Sequence, residues 1–554
     1  MGGIPAACTT EPAMPALLLY NGPIYTLNPE QPTARAVLIS GGRIVAVGSE
    51  GRVQAAAAGL KAQPINLQGR AVVPGLTDAH VHINFQGQAG LEVRLGDALT
   101  LEDAQRRIAA RAATLAPGAW LRGGGWDHSA WGRRWPTAAD LDAVCPDRPA
   151  ALSRKDGHSL WCNSQALALA GIGADTPDPA GGAIQRDRDG APTGILTETA
   201  MELVRAVSPP LTEAERLLAL NSALAEALSY GITSIHIPPG TNHESGPEFW
   251  RDLQTVRARG GLKVRCLLYI AQPDLDGVTQ MGMRSGFGDA WLRFGGLKLF
   301  ADGALGSESA EMLTHYEGRR HTGIAVLERE QLDELVRAAN ADGVAVCIHA
   351  IGDAANRKVL DAIERAQAAR AALGEAAPPL TLPNRIEHVQ VLHQKDLGRL
   401  GQLGVIASMQ PIHATSDMEV ADALWGPRCA YAYAWRSLLS TGAVLAFGSD
   451  APVETMNPWM GVHAAVTRQR PGGAPAGGWY PEQRLSVQEA LEAYCVGPAF
   501  ASGEQREKGR VAPGMRADLA VLTGDPFRSA PADLHAITAA MTLVDGEVVF
   551  ERKG

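Results

Sequence analysis

The run Ala71-Val72-Val73-Pro74-Gly75-Leu76-Thr77-Asp78-Ala79-His80-Val81-His82-Ile83-Asn84 decides how the rest of the chain is read. Its apolar, β-branched start predicts a strand over 71–78, interrupted by a Pro-Gly pair. On extended backbone, residues i and i+2 point the same way, so His80 and His82 present two imidazoles on one face. Neutral imidazole is a good ligand for zinc and its neighbours. Alone, His-x-His is a weak signal. Its weight depends on further ligands at later strand ends.

Strand-like apolar runs recur at 231–236, 263–269, 294–300, 344–349, 385–389, 404–409 and 443–450. Helical stretches such as 328–342 and 354–371 lie between several of them. With the first strand this is an eightfold β/α alternation, which predicts a (β/α)8 TIM barrel. A doubly wound sheet is the competing arrangement, but no Gly-x-Gly-x-x-Gly follows an early strand.

The gap between the first two strands is too long for one crossover. Residues 91–212 hold elements of their own: a helix at 100–115, the stretches 120–127 and 150–153, and a Gly/Pro/Asp-rich stretch at 173–194. They are read as an insertion over the barrel mouth, leaving 74–90 plus 213–503 as the barrel. Both ends of the chain are β-rich, with tight-turn signals at Gly41-Gly42 and Asp545-Gly546. This predicts a β-sandwich domain formed by both termini, from residues 14–73 plus 504–554. Residues 1–13 are broken up by Pro5, Glu11 and Pro12; they make a poor signal peptide and read as a disordered leader, with Met14 an alternative start.

The net charge of −9 offers no basic surface for nucleic acid, and no stretch of about 18 apolar residues suggests a membrane span. Seven scattered cysteines without Cys-x-x-Cys spacing argue against a disulfide framework or a zinc ribbon. Reduced thiols and a cytoplasmic location are expected, with a small molecule as partner and a homodimer as the assembly.

His349 ends an apolar run, His388 lies in Arg385-Ile386-Glu387-His388, and Asp450 follows Phe447-Gly448-Ser449. Each stands at the C-terminal end of a predicted strand, where barrel active sites are built. Such groups are costly there unless paired or bound to a metal. Lys298 interrupts an otherwise apolar strand. A buried lysine loses its proton readily, and the neutral amine can add carbon dioxide to give a carbamate able to bridge two cations. The competing reading pairs Lys298 with Asp302, or gives it only a substrate contact.

Ordered motifs then run along nearly the whole chain: PGLTDAHVH (74–82), DGHSLWCNSQAL (156–167), RDGAPTGILTE (188–198), GGLKLFADGALGS (295–307), CIHAIGDAAN (347–356), RIEHVQV (385–391), SMQPIHAT (408–415) and GSDAPVE (448–454). The sequence resembles the amidohydrolase superfamily, in the family 3 branch of N-substituted formamide deformylase-like and YtcJ-like proteins. The motifs are specific for the branch, not for a substrate. The resemblance implies a metal-dependent hydrolase with a barrel and a β-sandwich built from both ends. By position, His80 and His82 resemble ligands of the more buried metal, and His349 and His388 those of a second. Lys298 resembles the bridging carbamylated lysine, and Asp450 a ligand that also serves as general base. One departure is Glu308, which stands where Arg or Thr is common after Gly306-Ser307.

The expected chemistry is attack of activated water on a C–N bond other than a peptide bond, in a small N-acyl or N-formyl amide. One or two divalent ions are expected, zinc first. A deaminase acting on a cyclic amidine is the alternative, disfavoured because no glutamate stands three residues after His349. A non-catalytic relative is disfavoured because no ligand is missing. His158 is the first further catalytic candidate, ahead of His236, His315 and His413. Trp126, Asp127, Trp161, Asp302 and His413 are candidate substrate contacts. The tryptophans Trp126, Trp131, Trp135 and Trp161 read equally well as the insertion's own core.

Overall fold

Gly75 divides the strand read over 71–78. The computed structural model describes residues 15–116, 118–128, 131–154, 159–240 and 246–553. In it, Val72–Pro74 and Leu76–Asp78 are separate strands of separate sheets. A Cβ at Gly75 would lie 2.2 Å from Thr233 Oγ1, so only glycine lets the chain pass this close to its neighbour as it changes sheets.

Leu76–Asp78 (β1) opens a parallel sheet that continues, among the described residues, through Ile232–Ile237 (β2), Arg265–Ile270 (β3) and Leu292–Phe300 (β4). Val346–Ala350 (β5), Arg385–His388 (β6), Ile406–Met409 (β7) and Leu445–Phe447 (β8) follow in order. The Ala79 N–H donates to Phe447 O at 3.0 Å and closes the ring. Every residue of β2 and β3 is buried, as expected when helices cover a parallel sheet. The helices read at 328–342 and 354–371 are Arg329–Ala341 and Asp353–Leu373. The first buries Leu332, Val336 and Ala339, one stripe at helical spacing.

Both ends of the chain build a second sheet. Leu17–Tyr25, Thr33–Ser40, Arg43–Gly48 and Val72–Pro74 join Leu519–Leu522, Ala539–Val544 and Glu547–Glu551 where Val72–Pro74 pairs with Leu519–Leu522. Leu19, Ile24, Val37 and Val47 share one core with Leu519, Val521 and Leu543. Arg265 of β3 ties this sheet to the barrel through Asp518, at 2.7 and 2.9 Å.

Residues Asn84–Ala223 form a compact unit of their own, against the 91–212 read from the sequence. Gly87 lets the helix Ile83–Leu91 press on the helix Glu213–Ser229, where a Cβ would lie 2.4 Å from Ala219 O. The stretches 120–127 and 150–153 contribute the strands Leu121–Trp126 and Ala150–Arg154 to a six-stranded sheet. The disordered leader read at 1–13 lies outside the described residues. Among those described, no helix is long and apolar enough to cross a membrane, and the cysteines are free and buried.

Candidate metal centre

His80, His388 and Asp450 bring ligand atoms within 4.8 Å of one another, His388 as the last residue of β6 and the other two just past the ends of β1 and β8. His82 Nε2 lies 3.1 Å from Asp450 Oδ1, and the His349 and His388 ring centroids are 4.6 Å apart. The strand ends thus bring together all four histidines and the aspartate read from the sequence.

Unusual backbone makes this convergence. His388, Val389 and Asp450 have φ of 73°, 46° and 60°, left-handed values that cost about 1–3 kcal/mol each. Cross-strand bonds hold them: Asp450 N–H donates to His80 O at 2.7 Å, and His82 N–H to Ala451 O at 2.9 Å. Asp78 fastens the same junction by accepting from the backbone N–H groups of His80 (3.2 Å) and Ser449 (2.9 Å) and from the Ser449 hydroxyl (2.5 Å). Burial pushes the Asp78 pKa up to about 7 against those donors.

Each imidazole is oriented through one nitrogen. His80 Nδ1 faces Glu387 Oε2 at 2.5 Å, His82 Nδ1 faces Pro238 O at 3.1 Å, and His388 Nδ1 faces Gln410 Oε1 at 2.8 Å. His349 reverses the pattern, with Nε2 2.9 Å from Gly303 O. An acceptor on one ring nitrogen sets the tautomer and leaves the other nitrogen's lone pair for a metal. Burial lowers the His80 and His349 pKa to about 4 and takes His388 well below its ordinary value, so these rings are neutral at neutral pH. Neutral imidazole nitrogens beside a carboxylate are a donor set that fits a divalent ion such as zinc.

Asp450 is buried, which would raise its pKa, yet a hydrogen bond from His413 holds it well below the usual carboxylate range. His413 answers in kind. Burial would lower its pKa, but Asp450 (3.3 Å) and Glu454 (3.9 Å) raise it to about 10. Lys298 is 2% exposed, with Nζ 4.7 Å from the Phe300 ring centroid. Among the described residues, no carboxylate stands within ion-pair distance of it. Asp302 does not pair with it: that carboxylate accepts backbone N–H groups of Glu311 (2.8 Å), Ile351 (3.0 Å) and Gly352 (2.8 Å), anchoring a loop.

The other candidates fall elsewhere. His158 lies outside the described residues, and His315 is exposed. His236 is buried inside the barrel, its Nδ1 3.0 Å from Arg385 Nη1. Trp126 and Trp161 are fully buried in the core of the second unit, their indole N–H groups donating to Leu152 O (2.7 Å) and Thr137 O (2.8 Å). Asp127 is ion-paired with Arg154 at 3.3 Å. Glu308 takes Arg319 in a two-point pair, both contacts at 2.7 Å.

Sequence reasoning missed Glu387. Burial would raise its pKa, but Arg385 and His80 hold it well below the usual range. Alternation along a strand puts neighbours on opposite faces. The left-handed turn at His388 overrides this, so Glu387 bonds the His80 ring while the His388 ring lies 5.0 Å from it. Glutamate directly before a strand-end histidine was the available signal.

A closed β/α barrel with histidines and an aspartate gathered at its strand ends defines the class of metal-dependent hydrolases. The chain belongs to the amidohydrolase family, whose model matches residues 63–550. It is 33% identical to the YtcJ protein of Bacillus subtilis, over 96% of this chain and 99% of that one. It is 31% identical to the N-substituted formamide deformylase of Arthrobacter pascens, over 97% and 99%. Its fold is similar to that of a metal-dependent hydrolase from Pyrococcus furiosus, with TM-score 0.76 and 28% identity over 93% of this chain and 100% of that one.

Proposed function

We propose that the protein hydrolyses a C–N bond other than a peptide bond in a small N-acyl or N-formyl amide. It would use one or two divalent ions, zinc first, held by His80, His82, His349, His388 and Asp450. The observation that carries this reading is the set of outer acceptors, which leaves one nitrogen of each of four clustered imidazoles as a lone-pair donor, with His80, His82 and His388 gathered at the ionised Asp450. The likeness to a formamide deformylase points toward the N-formyl or N-acyl class.

An ion bound there supplies Lewis acidity, polarising a carbonyl and making water nucleophilic near neutral pH. The chain's own groups do the rest. Asp450, held ionised, accepts the proton of the attacking water and returns it to the leaving nitrogen. His413, held protonated, keeps that carboxylate ionised and in place. A buried ammonium without a counter-charge is costly, and conversion of Lys298 to a carbamate would replace that cation with an anion facing neutral imidazoles. Beyond the centre, we read the protein as cytoplasmic and homodimeric.

Metal content and turnover test this together. Protein purified with bicarbonate should hold about two ions per chain, falling to one or fewer in Lys298→Ala. The loaded protein should release an amine and a carboxylate from N-acyl or N-formyl amines. Release of ammonia from cyclic amidines instead would make it a deaminase, and absence of metal from both proteins would sink the catalytic reading.

A further inference from the structure

We propose that Asp302 is a positioning residue for His349: it locks the chain leaving β4 to the turn leaving β5, so that the Gly303 carbonyl caps Nε2 and Nδ1 is left to bind the ion. That His349 is a metal ligand rests on the hydrolase reading above; the clamp on its ring does not. Register brings the parts together. β4 and β5 pair with Phe300 opposite His349, which sets residues 301–303 beside the chain as it leaves β5. Consecutive residues then hold the histidine in different ways. Ala301 N–H donates to His349 O at 2.9 Å, and the Gly303 carbonyl lies 2.9 Å from His349 Nε2. Asp302, between them, takes the backbone that follows.

The Asp302 side chain is wholly enclosed by protein. Its Oδ1 accepts from Ile351 N–H at 3.0 Å and stands 3.5 Å from His349 Nε2. Its Oδ2 accepts from the N–H groups of Glu311 and Gly352, both at 2.8 Å. A carboxylate is acceptor-only and can take all three donors; an amide of the same shape would turn its own N–H groups toward at least one of them. The junction has no slack. A Cβ at Gly352 would lie 2.0 Å from Glu311 O, and one at Gly303 would lie 2.1 Å from Ser309 Oγ. Glu311 O in turn accepts from Ala354 and Ala355 N–H at 3.0 and 3.2 Å, which ties the clamp to the helix Asp353–Leu373. The Gly303 carbonyl is therefore fixed against the ring. A carbonyl only accepts, so the neutral ring carries its proton on Nε2, and the lone pair belongs to Nδ1.

The test begins on metal-free full-length protein, where activity plays no part. Two-bond proton–nitrogen NMR spectra tell a protonated ring nitrogen from a bare one, and His349→Gln identifies the signals of this ring. Wild type should show the His349 proton on Nε2. Asp302→Asn should mix the two tautomers of His349 while the His80 and His388 rings keep theirs, a selectivity that general loosening of the fold would not give. Zinc affinity, measured by competition with a chromophoric chelator, should fall roughly 10–100-fold in the same variant. Gly352→Ala forces the same junction open from its far side and leaves the carboxylate in place. It should reproduce both effects, and it stands in if Asp302→Asn does not fold. A wild-type proton on Nδ1, or variants that keep the wild-type tautomer and zinc affinity, would overturn the assignment. If the tautomer and affinity move as expected in a protein that hydrolyses no amide, the clamp stands and only the reaction fails.

Discussion

Glu387 Oε2 lies 2.5 Å from His80 Nδ1, and the other oxygen of that carboxylate lies 2.5 Å from Arg385 Nε. One buried carboxylate therefore orients an imidazole and neutralises a guanidinium. Glu387→Gln keeps the shape and removes the charge. Metal affinity should fall roughly 10–100-fold, as when a partner behind a ligand is lost. Competition with a chromophoric chelator measures it. The uncompensated Arg385 should also lower stability by about 3–5 kcal/mol.

Asp450→Asn should cut turnover by about 10²–10⁴-fold, the usual contribution of a positioned acid–base group. It should also release His413. With Asp450 neutral, burial dominates and the His413 pKa should drop from about 10. NMR titration of that ring would show it, and an unmoved pKa would mean Glu454 alone charges His413.

His463 offers a pH test away from the centre. It lies buried in the helix Pro458–Thr467, 5.2 Å from the His535 ring, and burial lowers its pKa from 6.5 to about 4. The unfolded chain takes up this proton first as pH falls. The stability it contributes is therefore whole above about pH 6.5 and lost on the way down to about pH 4, on the order of 2–3 kcal/mol. Urea unfolding of His463→Gln should show a shallower loss across that window than wild type.

Asp518 accepts both arms of Arg265, and Arg265 Nη2 also reaches Asp545 Oδ1 at 2.5 Å. Asp518→Ala leaves a buried guanidinium short of charge and should cost about 3–5 kcal/mol. Chemical denaturation would report it. A change below about 1 kcal/mol would mean Asp545 suffices.

The positions of His80, His82, His349, His388 and Asp450 were legible because each breaks or ends an apolar run, and strand ends are where a barrel turns polar groups inward. What sets their chemistry was not. The acceptors for His82 and His349 are the carbonyls of Pro238 and Gly303, which carry no side-chain signature. The charge on His413 depends on Asp450 and Glu454, which only folding places beside it. The split at Gly75 depends on the nearness of Thr233, a contact between strands far apart in sequence. Local patterning names the elements; only the third dimension names their partners.

The bonds between Asp78 and Ser449 join residues 371 positions apart. During synthesis at roughly 5–20 residues per second, about 20–75 s separate the emergence of these two side chains. Through that interval the early histidines exist without the aspartate that completes their site. The nascent barrel, an open parallel sheet, exposes its strand edges meanwhile. A chain truncated before β8 keeps His80 and His82 but lacks Asp450, so it cannot complete the candidate metal centre. Its fate belongs to chaperones and proteases.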